Sequence, residues 1–79
     1  MTLVVPLHLV KEGAQVRIER LTGGLAFRKR MAELGLLPGA SFTVLHKGGG
    51  PYLLKVGESR LALGQGVGDR IFVREIENQ

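Results

Sequence analysis

The sequence predicts a mainly β fold: a small, partly open barrel of the SH3-like kind, with about five short strands and one inserted α-helix. Three observations carry this expectation. Several five- to seven-residue stretches alternate apolar and polar residues, and glycine-rich joints separate them. One segment alone keeps helical spacing. No tandem helices are present to cover a parallel sheet, so antiparallel strands that curl towards closure are the economical solution to the exposed-edge problem.

Val16 and Ile18 against Arg17 and Glu19 mark the first strand, predicted over Gln15–Arg20. The segment "LTGG" breaks it. A short helix is predicted over Leu25–Leu34, where Phe27, Met31 and Leu34 fall at i, i+4 and i+7 and the triplet Arg28, Lys29, Arg30 is mostly turned away. Strands are then expected at Ala40–His46 and Tyr52–Val56, separated by "KGGGP", whose glycines and the Gly50-Pro51 step can continue neither element. Gly57-Glu58 is a two-residue loop with glycine first, the pattern of a type II′ turn, and should join Tyr52–Val56 to Ser59–Leu63 as a tight hairpin. After the glycine-rich connector "GQGVG", alternation resumes at Ile71–Ile76 and closes the domain, taken as one unit over residues 1–79.

The stretch "MAELGLLPGASF" packs a helix end, a hydrophobic step and a turn into Met31–Phe42. A helix leaves its last carbonyls unsatisfied, and a left-handed residue just beyond the end lets the next amides turn back to them. With Leu34 as C-cap, Gly35 takes that position, and Leu36 should pack back on Met31 as in a Schellman motif. Pro38-Gly39 supplies a fixed φ followed by a residue that tolerates positive φ, as a type II turn requires. The whole stretch therefore reads as a structural joint.

At 79 residues the chain has a small core, since folded chains of this size bury only about 60% of the surface their unfolded form exposes. There is no cysteine to staple it. Hydrophobic residues make up 44% and charged residues 23%, ordinary for a globular domain, and no apolar run approaches the length of a membrane span. The N-terminal "MTLVVPLHLV" lacks a basic leader region and a cleavage pattern, so a cytosolic location is expected. The net charge of +4 and a pI of about 10.1 favour an anionic partner.

Ordered over nearly the full length, four stretches resemble the FeoA family of ferrous iron transport accessory proteins in its free-standing form. They are "PLHLVKEG" at Pro6–Gly13, "RKRMAELGLLPG" at Arg28–Gly39, "GGPYLLKVGESRLAL" at Gly49–Leu63 and "DRIFV" at Asp69–Val73. The resemblance implies a non-catalytic cytoplasmic accessory of the Feo ferrous iron uptake system. Its implied partner is FeoB, a membrane permease with a cytoplasmic GTPase domain, and this chain would lie at the inner face of the membrane only through that partner. FeoA-like domains also occur as SH3-like modules of iron-dependent repressors, which leaves a detached repressor module as an alternative. This chain departs from the family pattern at His8, where serine is frequent, and at Gly64 and Gly68, where arginine and alanine are frequent. The glycines predict a more flexible connector than the family's short helical turn.

The residues themselves offer little chemistry. His8 and His46 are far apart in sequence, with no carboxylate at helical spacing, so no metal site and no cofactor are expected. Ser41 and Ser59 have no base in a recognisable arrangement, so no enzyme is expected. Gly48-Gly49-Gly50 precedes Pro51 and Tyr52, where a phosphate-binding loop would have lysine and a helix N-terminus. A small basic nucleic-acid-binding barrel is a rival reading, but no aromatic pair on adjacent strands and no concentrated basic stripe support it. Protein binding remains. If Tyr52, Leu54, Val56, Val44, Ile71 and Val73 point inward, then Leu53, Leu45 and Phe72 point out, and Arg28 and Arg30 add a basic face that could steer an acidic partner. An open barrel edge leaves room for weak self-association.

Overall fold

The computed structural model describes residues 3–76. Six antiparallel strands form one sheet: β1 (Val4–Pro6), β2 (Gln15–Leu21), β3 (Ser41–His46), β4 (Tyr52–Val56), β5 (Ser59–Leu63) and β6 (Ile71–Glu75). The helix α1 spans Leu25–Glu33, and 3₁₀ turns occupy Leu7–Leu9 and Gln65–Asp69. The strand order is β1-β6-β2-β3-β4-β5, so β1 and β5 are the two open edges. The predicted mainly β, SH3-like architecture is the one observed, with one strand more than expected. Pairing alone makes β1 a strand: "VVP" has no alternation to announce it, and it is fixed by Val4 opposite Arg74 and Val5 opposite Val73.

Alternation along β2 buries Val16 and Ile18 and leaves Arg17 and Glu19 in solvent. Fully buried Val44, Leu54, Ile71 and Val73 meet them from the other strands, with Leu7 closing one end and Met31 and Leu36 the other. Two irregularities re-aim side chains. Between Ile18 and Arg20 the β2–β6 register shifts and sets Arg20 opposite Phe72, and between Val44 and His46 the β3–β4 register shifts around Leu45.

The nine-residue α1 is too short to be stable alone and is held by burying Met31, with Phe27 and Leu34 half-buried against the core. Its end forms the expected Schellman motif. The Leu36 amide donates to the Met31 carbonyl at 2.8 Å and the Gly35 amide to Ala32 at 2.9 Å, with Gly35 at φ +85° and Leu36 fully buried. The Ala40 amide donates to Leu37 at 2.9 Å across Pro38-Gly39, and Gly39 at φ +94° completes the type II turn. Two bonds to β2, Gly39 amide to Ile18 carbonyl and Ile18 amide to Ala40 carbonyl, both 2.8 Å, fix where β3 departs.

The β4–β5 hairpin runs in unbroken register from Tyr52 opposite Leu63 to Val56 opposite Ser59. Gly57 has φ +59° and Glu58 does not have positive φ, which agrees with the predicted type II′ turn. In the β3–β4 loop the positive-φ residues are Gly48 and Gly49, while Gly50 lies outside that region before Pro51. The "GQGVG" connector has helical form despite its glycines. It forms a 3₁₀ turn, closed by the Val67 amide on Gly64 at 3.2 Å and the Arg70 amide on Val67 at 3.0 Å, because Gly64 already has ordinary extended backbone and Val67 is anchored against the core.

Candidate functional site

Among the described residues, no group of three or more His, Cys, Asp or Glu side chains could hold a metal ion. His46 Nδ1 lies 3.3 Å from Glu12 Oε2, and the same carboxylate oxygen accepts the Lys47 amide at 2.9 Å. The Lys47 ammonium donates to the backbone carbonyl of His8 at 2.7 Å and to that of Val10. These groups latch the β3–β4 loop to the first 3₁₀ turn. His8 therefore enters through its backbone carbonyl, and its side chain, on the first 3₁₀ turn, is exposed.

The structure brings some of the predicted surface residues together. Leu45 and Leu53 lie on neighbouring strands beside the β3–β4 bulge, and both are half-buried. Phe72 is separated from them by β2 and lies under the Arg20 guanidinium, 4.3 Å from the ring centroid. Arg28 and Arg30 are exposed on α1. The large apolar side chains most open to solvent are others: Leu3, Leu9, Leu25 and Leu37, the last at 50% exposure within the joint itself.

A groove of about 340 Å³ separates α1 from the free edge of the sheet. Its helix wall is Phe27, Arg30 and Met31, spaced at i, i+3 and i+4 on one face. The opposite wall is Ala62 and Leu63 of β5, and the turn that follows supplies Gly64, Gly66, Val67 and Arg70. Arg70 extends over Phe27 with its guanidinium carbon 5.1 Å from the ring centroid. Both charges lining the groove are thus arginines, no acidic residue lines it, and neither arginine forms an ion pair among the described residues. Helical spacing announces Phe27 and Met31 on one face in the sequence, but it turns the basic triplet mostly away, and in the structure Arg30 borders the groove. Nothing local announces that β5 and Arg70 face it, because strand order creates that juxtaposition.

Beneath the 3₁₀ turn, the Tyr52 ring packs against buried Gly68, leaving no room for a Cβ there. Burial, helped by the Asp69 carboxylate, raises the Tyr52 phenol above its ordinary value of 10.0. The phenol is therefore a neutral packing group over the physiological range.

Residues 5–75 match the model of the FeoA domain. A curated relative from Methanocaldococcus jannaschii, named putative Fe(2+) transport protein A, is 28% identical over 72 residues, covering 91% of this chain and 88% of the relative. A crystal structure of an iron uptake regulatory protein, FeoA, superposes with a TM-score of 0.86 at 35% identity, covering 94% of this chain and all of the other. The manganese-activated repressor ScaR shares the fold at 22% identity and a TM-score of 0.83, with 91% of this chain matching 35% of the repressor. With nearly its whole length matched, by sequence and by architecture, this chain belongs to the FeoA domain family.

Proposed function

We propose that this chain is an accessory of ferrous iron transport that acts by docking on a FeoB-like membrane GTPase/permease at the cytoplasmic face of the membrane. The observation that carries the reading is the family match over residues 5–75, together with a relative named for Fe(2+) transport. The side chains support a binding role: Glu12, His46 and Lys47 serve as a structural latch, whereas Arg28 and Arg30 are exposed on α1 and Arg30 lines the groove. No helix among the described residues is long and apolar enough to cross a membrane, so on this reading membrane contact comes through the partner. Arg28 and Arg30 steer and orient an acidic surface, and Leu45, Leu53 and Phe72 offer apolar contact area on the outer strands.

Co-purification of the chain with a FeoB-like permease from the same organism tests the reading, paired with ferrous iron uptake after deletion of the gene. Association and reduced uptake are expected. No association, together with unchanged uptake, would overturn the proposal.

A further inference from the structure

β5 is the end of the sheet, and its hydrogen-bonding geometry can be read from the hairpin. In a two-residue hairpin the residues flanking the turn exchange backbone bonds, so Val56 and Ser59 form a hydrogen-bonded pair. Counting along the register, Leu61 with Leu54 and Leu63 with Tyr52 do the same. Arg60 and Ala62 are the non-bonded positions opposite Lys55 and Leu53, and their N–H and C=O groups point away from β4 into open space. This outward row borders the groove whose far wall is Phe27, Arg30 and Met31.

A strand added to that edge would place alternate side chains on the two faces of β5. On the Leu63 face they meet the groove, whose lining combines Leu63, Val67 and Phe27 with Arg30 and Arg70. On the Arg60 face they meet Arg60 and Lys55, directly opposed like charges that are both exposed. Arg30 and Arg70 line the groove without a carboxylate beside them. The same positive charge disfavours pairing of this edge with a second copy of itself. We infer that the β5 edge and the α1 groove together form a β-augmentation site for an extended acidic segment of a partner protein, one that alternates carboxylate and apolar side chains. The inference rests on the docking role proposed above and supplies the partner chemistry at that surface.

The test is an NMR titration of the full isotope-labelled chain with a short synthetic peptide alternating Glu and Val, and with its Lys and Val counterpart. The acidic peptide is expected to move the amides of Arg60, Ala62 and Gly64 and those of Phe27 to Met31, and to slow hydrogen exchange at Arg60 and Ala62. The basic peptide should leave them in place. Arg30→Glu with Arg70→Glu should weaken acidic-peptide binding by about tenfold or more. Ala62→Pro, which removes an outward amide and leaves the β4 ladder intact, should abolish the exchange protection. Spectra of the free variants verify that each is folded. Equal binding of both peptides, shifts confined to other surfaces, or concentration-dependent shifts at β5 without peptide would overturn the inference, the last by assigning the edge to a second copy. The permease separates the two proposals. If it captures the wild type and the Arg30→Glu, Arg70→Glu variant equally, the groove assignment fails and the docking role stands. If it captures neither while the acidic peptide binds at β5, the docking role fails and the groove assignment stands.

Discussion

Two glycine-bearing connectors, Leu34–Ala40 and Gly64–Arg70, use the same residue for opposite reasons. In the first, Gly35 and Gly39 have φ of +85° and +94°, and a Cβ built on either would meet nothing within 4 Å. Glycine is required there by its dihedral angles. In the second, none of the glycines has positive φ, yet a Cβ on Gly68 would run into the Tyr52 hydroxyl and stand 3.1 Å from His8 Cβ. Glycine is required there by space. The lesson is that a glycine in a turn leaves two different mutational signatures, one relieved by a residue tolerant of left-handed backbone and the other by trimming the neighbour.

Substitutions at both connectors sharpen this contrast. The largest loss is expected from Leu36→Ala, which removes a fully buried side chain from the first joint and should cost about 2–5 kcal/mol in chemical denaturation. Next comes Gly68→Ala, an overpacking change worth about 1–3 kcal/mol, and Tyr52→Phe in the same chain should return part of that loss. A purely additive pair would break the steric account. Gly35→Val should cost about 1–2 kcal/mol and Gly35→Asn less, since asparagine adopts the left-handed region more readily. If valine and asparagine proved equal, the dihedral account would fail.

A smaller effect depends on pH. The folded state holds the Tyr52 proton more tightly than the unfolded chain does, so this stabilisation is complete below the ordinary tyrosine range and is lost as pH rises through the folded value. As pH rises above the ordinary tyrosine value of 10.0, the urea midpoint should fall more steeply in wild type than in Tyr52→Phe. The smallest effect belongs to Gly64→Ala. Gly64 has φ −61° and ψ 156° with open space around it, so stability should stay within about 0.5 kcal/mol of wild type, with any change on the favourable side.

The same distinction explains what was legible in the sequence. Positive-φ glycines come with local partners: a helix before Gly35, a proline before Gly39, a glutamate after Gly57. Those joints and the strands they connect were readable to within a residue. The 3₁₀ turn at Gln65–Asp69 was not announced because Gly68 answers to Tyr52, distant in the chain, and β1 was missed because only β6 makes it a strand. The surface was legible in parts. Arg28 and Arg30 are exposed as the helical period predicts, whereas Leu45 and Phe72 are half-buried because a bulge displaces one and the Arg20 guanidinium covers the other. Only Phe27 and Met31 of the groove were legible, since its other wall depends on which strand ends the sheet.

The strand order also carries a consequence in time. β6, synthesised after the five other described strands, inserts between the first two, β1 and β2, and brings fully buried Ile71 and Val73 to the centre of the core. A chain emerging from the ribosome can form the β3–β4–β5 meander early, because those pairings are local, but β1 has no partner until β6 arrives. Completion of the sheet is therefore a late, long-range event, and nascent chains stopped short of Ile71 will expose Val16 and Ile18. For this fold, the emergence of β6 determines whether there is a complete core.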